Sequence, residues 1–366
     1  MITKILYVSL GENMFGTEKF ISYFVNNLPV DKFEVHWGIP YESRLSNILK
    51  QNNNRYFSFE NGTLSNFKIK GLINIAKYIH KNNINIVHSN SGILPCVVGK
   101  VMGVKKCYET RHGIFYSDKE LNEFGILQRY HEKIKQYFVE YQIAIGENDK
   151  YRMIKHFGMI DEKIKVIPYG IDINDIRKQG IKSGLNVKSK NGKFKYLNIG
   201  RFSLQKSQLD LLKAVRMLID EYQNFELTII GEGEEKDNLL NYIKSNNLEK
   251  YVILKSYIDN IHLEILKYDA LVMTSKYEGV PYVVSDSMAL GLPVVHTDVG
   301  CVSNVIRNNV DGLLVNVENI VEIKDAMKKI ATNTKLYENI QISAFNRIES
   351  YPIGKMIDEY AKVYLL

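Results

Sequence analysis

The stretch from Ser275 to Pro293 constrains this chain more than any other. Asp269-Ala270-Leu271-Val272-Met273-Thr274 is an apolar run of strand type. Lys276 to Val280 predicts a loop. Pro281 suits the first position of a helix, where no N–H is needed. Gly291 followed by Leu292-Pro293 predicts the end of that helix, and Val294-Val295-His296-Thr297 the next strand. Glu278 falls in the loop and Asp286 eight positions later inside the helix. Glu278 is therefore expected at the carboxyl end of a strand, beside the amide-rich start of a helix. Ligands bind there in parallel α/β sheets, and a helix start favours a phosphate.

A second stretch has the same form. Phe194 to Gly200 predicts a strand, and Arg201-Phe202-Ser203-Leu204-Gln205-Lys206 a loop. Ser207, with Asp210 three positions on, fits a capping box for the next helix. Arg201 and Lys206 then flank a helix start as two fixed cations. A guanidinium fork with an ammonium point charge suits a diphosphate. Phe225 to Ile230 predicts a further strand, ending in Gly231-Glu232-Gly233, whose glycines allow close backbone approach to a ligand.

Together these residues resemble a known family. Glu278-Gly279-x-Pro281, the second carboxylate at Asp286, and Met288-Ala289-x-Gly291-x-Pro293-Val294-Val295 are similar to the signature of the family 4 retaining glycosyltransferases. Gly200-Arg201 with Lys206 is similar to that family's diphosphate element. Ile167-Pro168-Tyr169-Gly170-Ile171-Asp172 resembles its crossing segment between domains. The resemblance implies an α/β GT-B fold, with two Rossmann-like domains facing a central cleft. It implies an acceptor-side domain over 1–170, a nucleotide-sugar-binding domain over 171–350, and a crossover helix over 351–366 that packs back on the first domain. The family usually carries Glu where this chain has Asp286, which is one methylene shorter.

The first half predicts alternating strands and helices. Gly11 to Gly16 is a glycine-bearing loop after the first strand, and the resemblance brings Gly16 and Thr17 to the donor diphosphate. Leu64 to Lys81 contains a predicted helix with an apolar stripe at Leu72, Ile75, Ala76 and Ile79. Cys107 to Gly113 predicts a strand with its loop. There the resemblance makes His112 a residue that contacts the donor or orients the acceptor. Leu121 to Glu140 predicts a helical run packed on the sheet, and Asp149 to Phe157 another helix. Residues 173–192 read as a flexible connection.

The resemblance implies transfer of a sugar from a nucleotide-sugar, most often a UDP-sugar, with retention at the anomeric carbon. Arg201 and Lys206 would stabilise the departing diphosphate. Glu278 would accept hydrogen bonds from donor-sugar hydroxyls, and Asp286 from the ribose. Tyr257 and Ile258 would hold the nucleobase through backbone groups. Gly200, Glu232, Tyr282 and Val283 complete the implied donor-binding set. The chain has no Asp-x-Asp motif, so neither metal nor other cofactor is expected. The acceptor implied is a glycan or polyprenyl-linked glycan in surface polysaccharide or capsule synthesis. The alternatives are a nucleotide-sugar epimerase of the same fold and a non-catalytic nucleotide-sugar-binding protein. No nucleic-acid motif is present.

Composition sets outer bounds. The chain has 366 residues, 45% hydrophobic and 24% charged, enough for two cores. Its 3 cysteines lack metal-type or paired spacing, which predicts a reducing, cytoplasmic setting. The start reads as a strand and not a leader. No apolar run reaches the roughly 20 residues of a membrane span. The net charge of +7, with Lys68, Lys70, Lys77, Lys81, Lys100, Lys105 and Lys106 free of intervening acids, predicts peripheral attachment to an anionic inner membrane face.

Overall fold

Every strand among the described residues lies parallel to its neighbours, as the alternation of short apolar runs with helices requires. The computed structural model describes residues 2–9, 20–21, 23–24, 27–40, 49, 55–59, 69–90, 92–182, 192–256, 258 and 260–366. The chain divides into two compact units, Met1–Gly170 with Ile353–Leu366, and Ile171–Pro352.

Among the described residues the first unit holds seven strands: β1 (Thr3–Val8), β2 (Phe33–Pro40), β3 (Arg55–Phe59), β4 (Ile86–Ser89), β5 (Lys106–Arg111), β6 (Tyr141–Ala144) and β7 (Ile164–Val166). Their order across the sheet is β3-β2-β1-β4-β5-β6-β7. The β4 strand is buried throughout because helices cover both faces. The helix Ile69–Asn82 turns Ile75 and Ile79 fully inward, with Leu72 and Ala76 half-buried beside them.

The helix Ile353–Leu365 packs within this first unit. It buries Met356, Ile357, Tyr360, Val363 and Tyr364, the one-face spacing of an amphipathic helix. Burial contributes about 1.5–3 kcal/mol for each large apolar side chain. Hydrogen bonds fix its position. Tyr108 Oη donates to the Val363 carbonyl at 2.9 Å. Thr110 Oγ1 lies 3.0 Å from Tyr360 Oη and 2.8 Å from His88 Nε2. His88 Nδ1 meets Tyr364 Oη.

The second unit holds β8 (Phe194–Ile199), β9 (Phe225–Ile230), β10 (Val252–Lys255), β11 (Ala270–Met273), β12 (Val294–Thr297) and β13 (Leu313–Val315). The order is β10-β9-β8-β11-β12-β13. The chain thus runs outward from β8 to β10, then returns to place β11 on the other side of β8. The carboxyl ends of β8 and β11 meet at this switch point, where open α/β sheets bind ligands.

Three local expectations are corrected. Residues 173–182 form the helix Ile173–Lys182 in place of a flexible connection. The run 121–140 is not one helix packed on the sheet. It is broken into Asp118–Glu123, Ile126–Ile134 and a 3-10 turn at Lys135–Phe138. Phe124 leaves helical geometry and Gly125 restarts it, and the Ile126–Ile134 helix buries none of its residues. Ser207 precedes the helix Gln208–Ile219 but does not cap it in the expected way. Its backbone is left-handed, with φ of 49°, and its hydroxyl donates to Asp210 Oδ2 at 2.7 Å instead of accepting from a backbone N–H.

Candidate active site

Four loops of the second unit converge at the switch point. The β8 loop carries Gly200, Arg201 and Lys206. The β11 loop carries Glu278. The Lys276 N–H donates to the Gln205 carbonyl at 2.8 Å, and Gln205 Nε2 to the Tyr277 carbonyl at 3.0 Å. These bonds fasten the two loops along their lengths. Thr274 Oγ1 adds bonds to the carbonyls of Lys206 and Ser207.

The β9 and β12 loops support them from behind. A Cβ at Gly231 would lie 2.0 Å from the Gly200 carbonyl oxygen, so only glycine permits this approach. The Gly231 space is thus filled by the neighbouring loop, so the tight turn alone accounts for this glycine. Gly300, with φ of +54°, does the same for Glu278: a Cβ there would lie 1.8 Å from the Glu278 carbonyl oxygen. Glu232 is exposed, and its carbonyl accepts from the Phe202 N–H at 2.8 Å.

Lys206 Nζ donates directly to Glu278 Oε1. The Glu278 side chain is 9% exposed and that of Lys206 17%. Arg201 is exposed at the start of the same loop, and its carbonyl accepts from Gln208 Nε2 at 3.0 Å. The structure therefore brings one cation into contact with the loop carboxylate and leaves the other toward solvent.

Pro281 lies just before the helix Tyr282–Ala289, with φ of −65° and an extended ψ, one position earlier than the sequence reading. Tyr282 and Asp286 are buried on this helix, and Val283 is half-buried. Asp286 Oδ2 lies 3.4 Å from His262 Nε2. His262 Nδ1 is 3.0 Å from Gln179 Oε1. Neither His262 nor Gln179 is visible in the sequence as a site residue, because each belongs to a different element. Ile258 is half-buried; Tyr257, Gly16 and Thr17 lie outside the described residues.

His112 belongs to the first unit, at the end of β5. Its Nε2 meets Asn90 Oδ1 and its Nδ1 meets Tyr169 Oη. Tyr7 Oη also donates to Asn90 Oδ1, at 2.8 Å. Burial pushes the His112 imidazole down to about 3, so the ring is neutral at physiological pH. With Nε2 donating to an amide oxygen, Nδ1 is the acceptor for the Tyr169 hydroxyl. Tyr169 thus holds His112.

Among the described residues, no helix is long and apolar enough to cross a membrane. Comparison with known proteins agrees with this architecture. Residues 16–175 match the family model Glycosyltransferase Family 4, and residues 185–347 match Glycosyl transferases group 1. An Escherichia coli protein, UDP-Gal:alpha-D-GlcNAc-diphosphoundecaprenol alpha-1,3-galactosyltransferase, is 24% identical over 99% of this chain and 96% of its own. A Campylobacter jejuni N-acetylgalactosaminyltransferase, named for a diphospho-undecaprenol acceptor, is 27% identical over 58% of this chain and 56% of its own. Anabaena HepE, solved with UDP and glucose, superposes with a TM-score of 0.81 at 19% identity, covering 99% of both chains.

Proposed function

The chain belongs to the GT-B glycosyltransferases of the family 4 type, and from that premise we propose that it moves a sugar from a UDP-sugar to a lipid-linked glycan with retention at the anomeric carbon. The carrying observation is the Lys206–Glu278 pair at the β8/β11 switch point, with Arg201 on the same loop. The names of relatives with diphospho-undecaprenol acceptors support the acceptor class.

In this reading the bond from the anomeric carbon to the distal phosphate oxygen breaks, and its electron pair leaves on the diphosphate. Lys206 and Arg201 take up that charge. Fixed donors aimed at developing charge are worth about 2.7–4 kcal/mol each in comparable sites. Glu278 exchanges Lys206 for hydroxyls of the donor sugar, and Asp286 accepts from the ribose. The acceptor oxygen bonds to the same face of the sugar, and its proton passes to the departing phosphate oxygen. Two protein cations at the phosphate do the work that a divalent ion does elsewhere, so no metal takes part.

The first unit would receive the acceptor at an anionic membrane face. Ile126, Leu127 and Tyr130 are 86%, 84% and 62% exposed on one short helix that also bears Arg129 and Lys133. That combination suits interfacial insertion.

The experiment is to incubate the protein with a panel of UDP-sugars and diphosphoundecaprenol-linked glycans, with and without EDTA. Product with unchanged anomeric configuration and unchanged rate in EDTA is expected. An inverted product, or a rate abolished by EDTA, overturns the mechanism. Interconversion of the UDP-sugar without transfer, or binding without turnover, would favour an epimerase or a binding protein.

A further inference from the structure

Asp286 stands at the end of a file of polar side chains that begins on another helix. The helix Ile173–Lys182 carries Asp175 and Gln179 one turn apart. Gln179 Nε2 donates to Asp175 Oδ2 at 2.8 Å. That bond settles which way the amide points, and Gln179 Oε1 lies 3.0 Å from His262 Nδ1. An amide oxygen only accepts, so Nδ1 donates to it. The other ring nitrogen, Nε2, faces Asp286 Oδ2 at 3.4 Å. It attracts a carboxylate when it too carries a proton, as in the imidazolium. The side chains of His262 and Asp286 are 13% and 3% exposed.

The helix that starts this file is itself fixed. Arg177 Nε donates at 3.2 Å to the carbonyl of Ala289, the last residue of the helix that bears Asp286. Arg177 Nη2 donates to the Phe345 carbonyl at 2.9 Å. Gly180 brings the same helix close to Leu290 and Leu266, the residues that close the other two helices. A Cβ there would lie 3.1 Å from Leu290 Cδ2 and 3.8 Å from Leu266 Cδ1. His262, by contrast, sits on a short helix, Ile261–Ile265, held at its start by Asn260 Oδ1 accepting from the Leu263 N–H at 3.2 Å. So short a helix is marginal by itself, and Gln179 gives the imidazole a second fixed point.

We propose that Gln179 is a positioning residue for nucleotide recognition: through His262 it holds Asp286 in the orientation that receives the ribose hydroxyls. The inference rests on the donor-site reading of Asp286 and deepens it, tracing the recognition of ribose to a side chain two contacts removed from the carboxylate. With Oδ2 engaged by His262, the carboxylate keeps one orientation. The hydroxyls then meet a preorganised acceptor, and binding does not have to order it.

The test is calorimetry on the full chain at pH 6, which favours the imidazolium, with UDP and with 2′,3′-dideoxy-UDP, whose ribose lacks both hydroxyls. The unaltered chain should bind UDP about 10-fold or more tightly than the dideoxy compound, as for loss of hydrogen bonds to a charged group. Gln179→Leu should cut that preference to about threefold or less, because UDP weakens and the dideoxy compound does not. The swap Asp175→Asn/Gln179→Glu exchanges donor for acceptor between the two positions. It keeps an oxygen toward Nδ1 and should retain the full preference. A merely structural part for Gln179 would weaken both ligands alike and leave the preference intact in Gln179→Leu. That result overturns the proposal, as does a swap that loses the preference. No preference in the unaltered chain would overturn the ribose reading of Asp286 and the inference with it, and it is seen before any variant is made.

Discussion

Lys206 and Glu278, 72 residues apart in the chain, are joined as a partly buried ion pair. In the proposed reading a nucleotide-sugar would replace both halves of that pair: phosphate for Glu278 at the cation, sugar hydroxyls for Lys206 at the carboxylate. A nucleoside diphosphate alone would replace only the first half and strand a carboxylate that is 9% exposed. Buried charge without a partner is costly. Glu278→Gln should therefore weaken the UDP-sugar while tightening UDP itself. Calorimetry with both ligands measures this, and equal weakening of both would refute it.

The two cations should differ in what their loss does to the fold. Lys206→Ala leaves Glu278 without its partner, and removing one member of a buried pair destabilises by about 3–5 kcal/mol. Arg201→Ala alters an exposed side chain and should leave the melting temperature within a degree or two. Both should cut turnover about 10²–10³-fold, as for loss of one charge-stabilising donor. Thermal unfolding beside steady-state rates separates the effects. Near-normal turnover in either variant removes that residue from the diphosphate site.

Asp286 and His262 should act together on the nucleoside portion. Asp286→Asn is expected to weaken UDP and the UDP-sugar alike, because both carry the ribose. His262→Ala, which removes the group 3.4 Å from Asp286 Oδ2, should weaken both in the same proportion. A loss confined to the UDP-sugar would move Asp286 to the sugar.

Acid should unfold the protein through its buried imidazoles. His88 and His296 are fully buried, and burial pushes them down to about 3 and about 4. The unfolded chain protonates such groups near 6.5, so between pH 6.5 and 4 it binds more protons than the folded chain. Stability is then complete above pH 6.5 and falls as the pH drops, by about 1.4 kcal/mol per pH unit for each group. Urea midpoints at pH 7, 6 and 5 should decline, and His296→Asn should flatten the decline. An unchanged slope would mean that His296 takes up its proton in the folded state.

Membrane attachment should depend on the exposed helix more than on the lysine run. Lys100 is paired with Glu140 at 2.7 Å, and Lys106 donates to the Tyr364 carbonyl at 3.2 Å. These two are partly committed within the fold, and Lys68 lies outside the described residues. Ile126→Ser/Leu127→Ser should abolish sedimentation with anionic vesicles at low salt. Changing exposed Lys70, Lys77, Lys81 and Lys105 to Glu should only weaken it. Sedimentation unaffected by the first pair would exclude that helix.

The sequence carried the strand-end loops plainly, because Gly, Pro and a charged residue after an apolar run have few other uses. Arg201, Lys206 and Glu278 were legible as site candidates for that reason. Their contact was not. It depends on β11 returning beside β8, and no local pattern encodes which strands become neighbours. The same limit hid His262. Ser207 misled because its left-handed backbone turns the hydroxyl from the helix amides toward Asp210, and a capping pattern in sequence is silent on φ. Gly125 is the local signal for the break in the 121–140 run.

The return of Ile353–Leu365 to the first unit also sets an order of events during synthesis. His88, Tyr108 and Thr110 are buried against Tyr360, Val363 and Tyr364, some 250 to 276 residues downstream. At roughly 5–20 residues per second, those partners leave the ribosome on the order of tens of seconds after the strands that need them. The second unit is one unbroken segment and can finish while the first still lacks its last helix. A nascent chain stalled short of Tyr360 should therefore present a completed second unit together with an unsealed aromatic core in the first, the kind of surface that chaperones hold.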